Sequence, residues 1–178
     1  MLNPTPVVMV SCGNTIDDYN IITIAWTGTV SSDPPMCFIS VRPERHSYDI
    51  IKKEGCFVIN LVDEKLTPIA DWCGVKSGKK FNKFFETGLT PLKASKINAP
   101  LINESPVNIE CSVKQIIPSG THDIFLAEIV AVHVNDNLFS KKTDAIELQR
   151  ANLVSYSHGH YYGLGKILGK FGFSVEKK

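Results

Sequence analysis

Short runs of apolar residues rich in Val, Ile and Phe recur along the first third of the chain. Each run is bounded by turn-forming Gly, Asn, Asp or Pro, a pattern typical of strands joined by tight turns. The strands predicted in this way are residues 7–12, 21–26, 36–41 and 56–61. Their lengths and spacing predict an antiparallel sheet.

Two longer apolar runs, residues 107–117 and 124–134, follow later in the chain. They are separated by residues 118–121, a connection whose length and composition are typical of a β-hairpin and which carries His122 and Asp123 at its far end. These two strands allow the sheet to close on itself. The pattern therefore predicts a mainly β fold, an antiparallel β-barrel with peripheral helices.

Three stretches have a helical pattern, and each is followed by a glycine where a helix C-cap is expected. They are residues 48–53, 66–73 and 80–87, which end near Gly55, Gly74 and Gly88. Residues 89–103 have no sustained period, but their spaced apolar side chains predict an ordered connection. With no domain boundary visible, we expect a single domain over residues 1–178.

Composition and charge exclude several classes of protein. The net charge is +1 and the lysines are scattered, so no basic stripe indicates a nucleic-acid partner. No apolar run approaches the ~20 residues that cross a bilayer, and the N-terminus lacks the pattern of a signal peptide. We therefore expect a cytoplasmic protein with no membrane association.

The cysteines and two late histidines do not indicate a metal site. Five cysteines, an odd number without CxxC spacing, predict reduced thiols that behave as small buried hydrophobes. His158 and His160 flank a glycine, but no Cys, Asp or Glu lies nearby at ligand spacing. We expect no metal there, and these histidines are candidates for a ligand or subunit contact.

Two of the three arginines fall in residues 42–47, immediately before the first predicted helix. A helix N-terminus presents unpaired backbone N–H groups, so the backbone, the Ser47 hydroxyl and a guanidinium can together hold a phosphate. The alternative is that Ser47 caps the helix while the arginines are solvated or pair with Glu44 and Asp49.

Residues 20–29 form a second candidate ligand-binding segment. Alternation places the small Thr23 and Ala25 on one face and three bulky apolar side chains on the other, so the small face is suited to a flat ligand. Residues 27–29 then offer N–H groups and hydroxyls without bulk to the polar edge of a heteroaromatic ring. The alternative is a core strand followed by an ordinary turn.

Taken together, these motifs resemble the flavin reductase-like family of the FMN-binding split-barrel fold, particularly its flavoredoxin-type branch. The resemblance covers nearly the whole chain in the family's order and spacing. The matching segments are residues 20–28, 33–35, 40–48, 57–61, 77–81, 87–90, 120–125 and 169–173. The resemblance implies a Greek-key-like antiparallel barrel that binds FMN, usually at a homodimer interface, accepts hydride and passes electrons onward.

The resemblance also assigns site residues. Those implied to lie along the flavin ring are Ala25, Trp26, Thr27 and Gly28. Those implied to surround the phosphate and ribityl chain are Arg42, Arg45, His46 and Ser47, with Ser77 and Lys80 completing the pocket. The family's loop histidine matches His122, which is implied to face the reactive side of the flavin; its alternative role is to cap the hairpin turn.

Three functions remain open at this point. The first is an NAD(P)H-dependent flavin reductase, and the second is a flavoredoxin-like carrier that takes electrons from a redox protein. The third is a flavin-binding protein without enzymatic activity, or a relative that has adopted another cofactor such as haem. We further expect a homodimer, in which Tyr161, Tyr162 and Phe171 of the tail cover the ring or an apolar surface left open by residues 89–102.

Overall fold

The computed structural model describes residues 2–176, and most of their regular structure is strand. The strands are β1 (Thr5–Pro6), β2 (Val8–Cys12), β3 (Asn20–Ile24), β4 (Thr27–Ser32), β5 (Pro35–Val41), β6 (Cys56–Leu61), β7 (Pro91–Leu92), β8 (Leu101–Ile102), β9 (Val107–Ser119), β10 (His122–Val134), β11 (Val154–Ser157) and β12 (His160–Gly163). The α-helices are α1 (His46–Glu54), α2 (Thr67–Val75) and α3 (Lys83–Thr87), and short 3-10 turns occupy Asp136–Leu138, Leu148–Ala151 and Phe173–Val175.

Seven strands form one antiparallel sheet in the order β3-β2-β6-β9-β10-β5-β4. The two edge strands, β3 and β4, are consecutive in the chain and are joined only by Ala25 and Trp26. Because consecutive Cα atoms are 3.8 Å apart, the two edges lie within about 11 Å of each other at this connection. The sheet must therefore roll into a barrel that is split between β3 and β4, which confirms the predicted mainly β barrel.

Side chains alternate between the barrel interior and an outer layer, and both sides are covered. On β2, Val8 and Val10 pack inside the barrel, whereas Met9 and the preceding Val7 pack in a second cluster with Ala70 and other residues of the outer layer. This explains why all five residues of β2 are buried and why four of them are apolar; the fifth, Ser11, donates a hydrogen bond to the Pro100 carbonyl.

Helix α1 closes one end of the barrel. Its residues Tyr48 and Ile51 belong to the interior cluster, and the helix ends as predicted at Gly55, which has a left-handed backbone (φ 67°). The other two helices differ from the prediction. Helix α2 does not end at Gly74 but continues to Val75. Gly74 allows the helix to pack closely against β3, because a Cβ at this position would lie 3.2 Å from the Thr23 side chain.

Helix α3 begins three residues later than predicted. Residues 78–80 form a turn, residues 81 and 82 lead into the helix, and the Asn82 side chain caps it by accepting a hydrogen bond from the Phe85 N–H at 3.2 Å. The helix ends at Gly88 as predicted. This late start turns Lys83 inward, where it is 3% exposed.

The connection of residues 89–103 is ordered, as predicted, but it is not left open. It contains the β7–β8 pair, and Leu89, Leu101 and Ile102 are buried against the same chain. The expectation that this connection leaves an apolar surface uncovered is therefore wrong. A further small sheet pairs β1 with β11 and β11 with β12, which brings the N-terminus to the tail.

The β9–β10 hairpin is longer than predicted. Both strands extend toward the turn, which consists only of Gly120 and Thr121, so His122 is the first residue of β10 and pairs with Ser119. At the edge of the sheet, the strand predicted over residues 21–26 ends early, at Ile24 in β3, because the chain must cross the split at Ala25 and Trp26.

Glu110 on β9 is a fully buried carboxylate that the chain itself satisfies. It accepts hydrogen bonds from the backbone N–H groups of Ser95, Lys96 and Ile97, from the Ser95 hydroxyl, and from His133 Nε2 at 2.6 Å. Burial by itself raises the pKa of Glu110, but these hydrogen bonds outweigh it and lower the pKa to about 2.

All five cysteines are free and buried, as the sequence predicted. Among residues 2–176, no helix is both long enough and apolar enough to cross a membrane. Within the same range no three side chains of His, Cys, Asp or Glu are grouped as a metal site would require. The cytoplasmic location stays a prediction.

Candidate functional site

Three adjoining cavities follow the split of the barrel. The inner cavity, about 130 Å³, lies at the start of α1; the middle cavity, about 200 Å³, lies along β3; and the outer chamber, about 1020 Å³, lies beyond Trp26. Ile22 and Arg45 line both the inner and the middle cavity, and Ala25 and Trp26 line both the middle cavity and the outer chamber. The three cavities therefore adjoin one another in a row along the split, and we refer to this row as the cleft.

Ser47 lies in the wall of the inner cavity and does not cap α1. The residue at the cap position is Arg45, whose side chain makes no capping hydrogen bond, and Ser47 is already inside the helix. The Ser47 hydroxyl is buried and accepts a hydrogen bond from Asn20 Nδ2 at 2.8 Å. The alternative interpretation of Ser47 as a cap is therefore wrong.

The turn at Ser77 and Gly78 closes the inner cavity from the side of α2. Ser77 lines the cavity, and a Cβ at Gly78 would overlap the Asn20 side chain and come within 2.8 Å of His46 Cδ2. Only glycine fits this wall without a shift of the turn. Lys80, which the sequence placed in the same pocket, does not line the inner cavity; it lines a neighbouring depression with Asp17 and Asp18, and the two share Asn20, His46 and Gly78.

Lys83 occupies the position in the inner cavity that was assigned to Lys80. Its ammonium donates to the backbone carbonyls of Ile21 at 2.6 Å and Cys73 at 2.5 Å. Burial lowers the pKa of Lys83 to about 8, although Cys73 and Cys12 act in the opposite direction. Lys83 was missed, but Asn82, a favoured cap residue, was a sequence signal that the helix begins at Lys83.

The two arginines of the predicted anion site differ in their environment. Arg42 lines the middle cavity and forms an exposed salt bridge with Glu44 at 3.4 Å. Arg45 lines both the inner and the middle cavity and forms no salt bridge within residues 2–176. The alternative that the arginines are solvated or pair with carboxylates therefore stays open, because Arg42 pairs with Glu44 and Arg45 is exposed.

His46 adds a further nitrogen-bearing side chain to the inner cavity. Burial lowers its pKa, and the nearby Lys79 and Lys83 lower it further. His46 is therefore predominantly neutral at pH 7, while Arg45 and Lys83 supply the positive charge. The inner cavity combines these cations with the Ser47 and Ser77 hydroxyls, which is the chemistry that binds a phosphate.

The wall of the middle cavity includes the edge strand β3. Five consecutive residues, 22–26, line the cavity, and β3 is an edge strand of the seven-stranded sheet. The Thr23 hydroxyl is turned towards α2, where it donates to the Ala70 carbonyl at 2.5 Å. Thr23 and Ala25 nevertheless line the cavity, so the expectation that a flat ligand lies against the small face stays a prediction. An edge strand also offers unpaired backbone groups to such a ligand.

His122 lies in the cleft as well as beside the hairpin turn. Its ring centroid is 4.7 Å from that of Trp26, which is 54% exposed, and it lines the middle cavity with the two arginines. Its Nδ1 lies 3.0 Å from the Thr121 hydroxyl. Burial and then Arg42 and Arg45 lower the pKa of His122, so its imidazole is predominantly neutral at pH 7.

The outer chamber is lined by segments that are far apart in the sequence. Ala25, Trp26 and Thr27 meet residues 2–6, Phe38 and the β11 region, including Tyr156 and His158. Gly28 does not line the chamber, because it packs beneath Phe38, where a Cβ would lie 3.1 Å from Cε1. The N-terminal residues and Tyr156 were missed, since only the β1–β11 pairing brings them together.

An antiparallel barrel with a cation-lined cleft along its split defines the class of split-barrel flavin-binding proteins. The family model of the flavin reductase like domain matches residues 1–165, so the chain belongs to that family. The family resemblance given by the sequence motifs is confirmed.

Solved structures with this fold include two flavoredoxins. The chain superposes on the flavoredoxin of Desulfovibrio vulgaris (Miyazaki F) with a TM-score of 0.90 and 29% identity, over 99% of this chain and 95% of that chain. It superposes on the flavoredoxin from Methanosarcina acetivorans with a TM-score of 0.87 and 21% identity, over 99% and 95% of the two chains. At that identity the second likeness shows the fold alone.

The chain is also similar to an uncharacterized protein of Aeropyrum pernix. The two are 33% identical over 114 residues, which is 64% of this chain and 43% of that protein. The family and the likeness to the flavoredoxin of Desulfovibrio vulgaris support a flavin cofactor and redox chemistry. They leave the electron donor and acceptor open.

Proposed function

We propose that this protein binds FMN and acts as a flavin reductase-like oxidoreductase that passes electrons from NAD(P)H or a redox protein to a downstream acceptor. The observation that carries this proposal is the cleft, which has hydroxyls and Arg45, a guanidinium without a carboxylate partner in residues 2–176, at one end. Towards the other end it has a strand edge beside Trp26 and His122. FMN has groups that match both ends of this cleft, because it carries a phosphate at the end of a polar chain and a flat ring at the other end of that chain.

The residues of the inner cavity fit a phosphate group. The wall at Gly78 has no room for a Cβ, as is typical where a chain approaches a ligand closely. Arg45 has no carboxylate partner within residues 2–176, and the hydroxyls of Ser47 and Ser77 face the same space. We assign the phosphate to these three side chains and the ring to the edge of β3, Trp26 and His122.

Bound FMN would supply a two-electron acceptor: hydride transfer from NAD(P)H leaves NAD(P)⁺ and the flavin in its reduced form. The chain's own contribution is to bind and orient. Backbone groups at the edge of β3 would hydrogen-bond the polar edge of the ring, and the neutral His122 would orient a donor that enters from the outer chamber.

The principal test is an anaerobic titration of the purified holoprotein with NADH and, separately, NADPH. Rapid loss of the oxidised flavin's visible absorbance with either nucleotide identifies a reductase. The likeness to the flavoredoxin of Desulfovibrio vulgaris favours a second candidate, a flavoredoxin-like carrier, for which the flavin stays oxidised with both nucleotides. In that case chemical reduction and transfer to an oxidised redox protein test the carrier.

The identity of the flavin is tested by denaturing the purified protein and separating what it releases by chromatography. We expect FMN and not FAD, because the inner cavity provides a single concentrated anion site. A colourless protein that takes up no added FMN contradicts the proposal.

We extend the proposal to a homodimer in which both chains approach each flavin. The tail exposes apolar side chains on the single chain, including Leu168 (84%), Phe171 (107%) and Phe173 (59%), which a second copy would cover. Light scattering measures the assembly, and truncation after His160 tests whether the tail is required. A monodisperse monomer that retains FMN tightly contradicts the shared site.

A further inference from the structure

Lys83 is a charged side chain buried beneath the inner cavity. It is 3% exposed, and its ammonium lies between β3 and α2, donating to the carbonyls of Ile21 and Cys73. An ammonium has three N–H donors, so these two hydrogen bonds leave one N–H over. Lys83 lines the inner cavity with Ser47 and Ser77, so its remaining N–H donor is adjacent to that cavity.

The positive charge of Lys83 has no negative partner within residues 2–176. None of the salt bridges formed there includes Lys83, and the groups that shift its pKa are the thiols of Cys73 and Cys12 and the cation Arg45. Glu44 also lines the inner cavity, but it is exposed and pairs with Arg42. Burying an unpaired charge is costly, and two carbonyl dipoles compensate only part of that cost. A ligand anion in the inner cavity would supply the missing charge.

We propose that the Lys83 ammonium is a ligand of the flavin phosphate and makes the inner cavity selective for the phosphorylated flavin over riboflavin. This inference rests on the proposed FMN site and adds to it a buried cation. It also replaces Lys80, which lies in a different surface depression.

The pH dependence of this contact follows from the groups that face Lys83. Cys12 on β2 and Cys73 on α2 have pKa values that burial raises to about 12 and about 11, and both stay neutral at mildly alkaline pH. His46 on α1 has a pKa that burial, Lys79 and Lys83 lower, so it is also neutral there. Lys83 is therefore the group at this site whose charge changes as the pH rises through about 8.

The test compares the affinities of the flavin-free full chain for FMN and for riboflavin by fluorescence titration. We expect Lys83→Met to weaken FMN binding roughly 10- to 100-fold, the range for a lost charge-assisted hydrogen bond, with riboflavin affinity nearly unchanged. Lys80→Met is the matched comparison and should leave the affinities for both flavins nearly unchanged. Thermal melts establish that each variant is folded.

A measurement on the unmodified chain covers the case in which Lys83→Met does not fold. The ratio of FMN to riboflavin affinity should fall as the pH rises through about 8, where Lys83 loses its proton. A flat ratio between about pH 7 and 9.5, or equal loss of both flavins in Lys83→Met, overturns this inference but leaves the FMN site in place. A wild-type chain that binds neither flavin overturns the proposed function itself.

Discussion

Glu110 and Lys83 are both charged side chains that the barrel buries, but the chain completes the hydrogen bonding of only one of them. Glu110 receives three backbone N–H donors, a hydroxyl and an imidazole. Lys83 has two carbonyls and no carboxylate within the described residues. A charge satisfied by its own chain is structural, whereas one left incomplete beside a cavity indicates a ligand.

The difference lies in where the two groups sit. The donors to Glu110 come from residues 95–97 and His133, none of which lines the inner cavity, the middle cavity or the outer chamber. Lys83 and Arg45 both border the split. We therefore expect changes at Glu110 to lower stability without changing flavin affinity, and changes at the cleft to do the opposite.

The largest expected effect is the destabilisation caused by Glu110→Gln. A pKa lowered from 4.5 to about 2 corresponds to about 3 kcal/mol of stability at neutral pH, because the unfolded state binds a proton more tightly. Chemical denaturation measures this loss, and flavin affinity should be unchanged in the folded variant. An affinity loss as large as the stability loss would remove the distinction between the two regions.

The same carboxylate predicts an acid dependence. The stability contributed by ionised Glu110 is fully present above its ordinary pKa and is lost as the pH falls from about 4.5 toward about 2. The difference between wild type and Glu110→Gln should therefore narrow through that window. A difference that stays constant down to pH 2 would assign the effect to shape and not to charge.

Arg45→Ala should lower FMN affinity by about 1.5 to 3 kcal/mol, or roughly one to two orders of magnitude, because a charge-assisted contact to the phosphate is lost. Arg150→Ala is the control, since Arg150 pairs with Glu147 away from the cleft. Equilibrium titration with FMN measures both variants. Equal losses would show that Arg45 is not at the phosphate.

Gly78→Ala tests the wall of the inner cavity. The added Cβ would overlap Asn20 and approach His46 Cδ2 to 2.8 Å, so the turn must shift, and we expect FMN affinity to fall by about 1 to 2 kcal/mol. The control is Gly165→Ala, where no heavy atom lies within 4 Å of the added Cβ. A Gly78→Ala variant with wild-type affinity would show that the ligand does not use this wall.

The smallest effect is expected for His122→Ala. Loss of the contact with Trp26, whose ring centroid is 4.7 Å away, should lower FMN affinity by about 0.5 to 1.5 kcal/mol without altering the fold. The sharper measurement is the rate of NAD(P)H-driven flavin reduction. A rate loss much larger than the affinity loss supports donor orientation, while unchanged values of both would restrict His122 to the hairpin turn.

The barrel could be predicted from sequence because its strands are local patterns. Apolar runs bounded by turn residues and a short hairpin connection depend on neighbours in the chain, and β2, β6, β9 and β10 lie where those patterns placed them. The end of α2 was misjudged because a local rule reads Gly74 as a cap. In the fold, this position favours glycine because the Thr23 side chain of β3 packs against it.

The candidate site was only partly predictable for the same reason. The segment around Arg45 and Ser47 is contiguous and could be recognised, but Lys79, Lys80 and Lys83 share one lysine-rich stretch that composition cannot divide. The start of α3 at Lys83 decides which of them turns inward. The outer chamber depends on Thr5 pairing with Tyr156, a separation at which no local pattern exists.

The two-residue crossing between β3 and β4 has a consequence for how this scaffold can diversify. Ala25 and Trp26 belong to neither strand, and the crossing is anchored by the hydrogen bond from the Ser40 N–H to the Trp26 carbonyl at 2.9 Å. Insertions there would change the width of the split between β3 and β4 while every strand pair of the large sheet stays in register. Loop length at this one point can therefore vary ligand preference independently of the barrel that carries it.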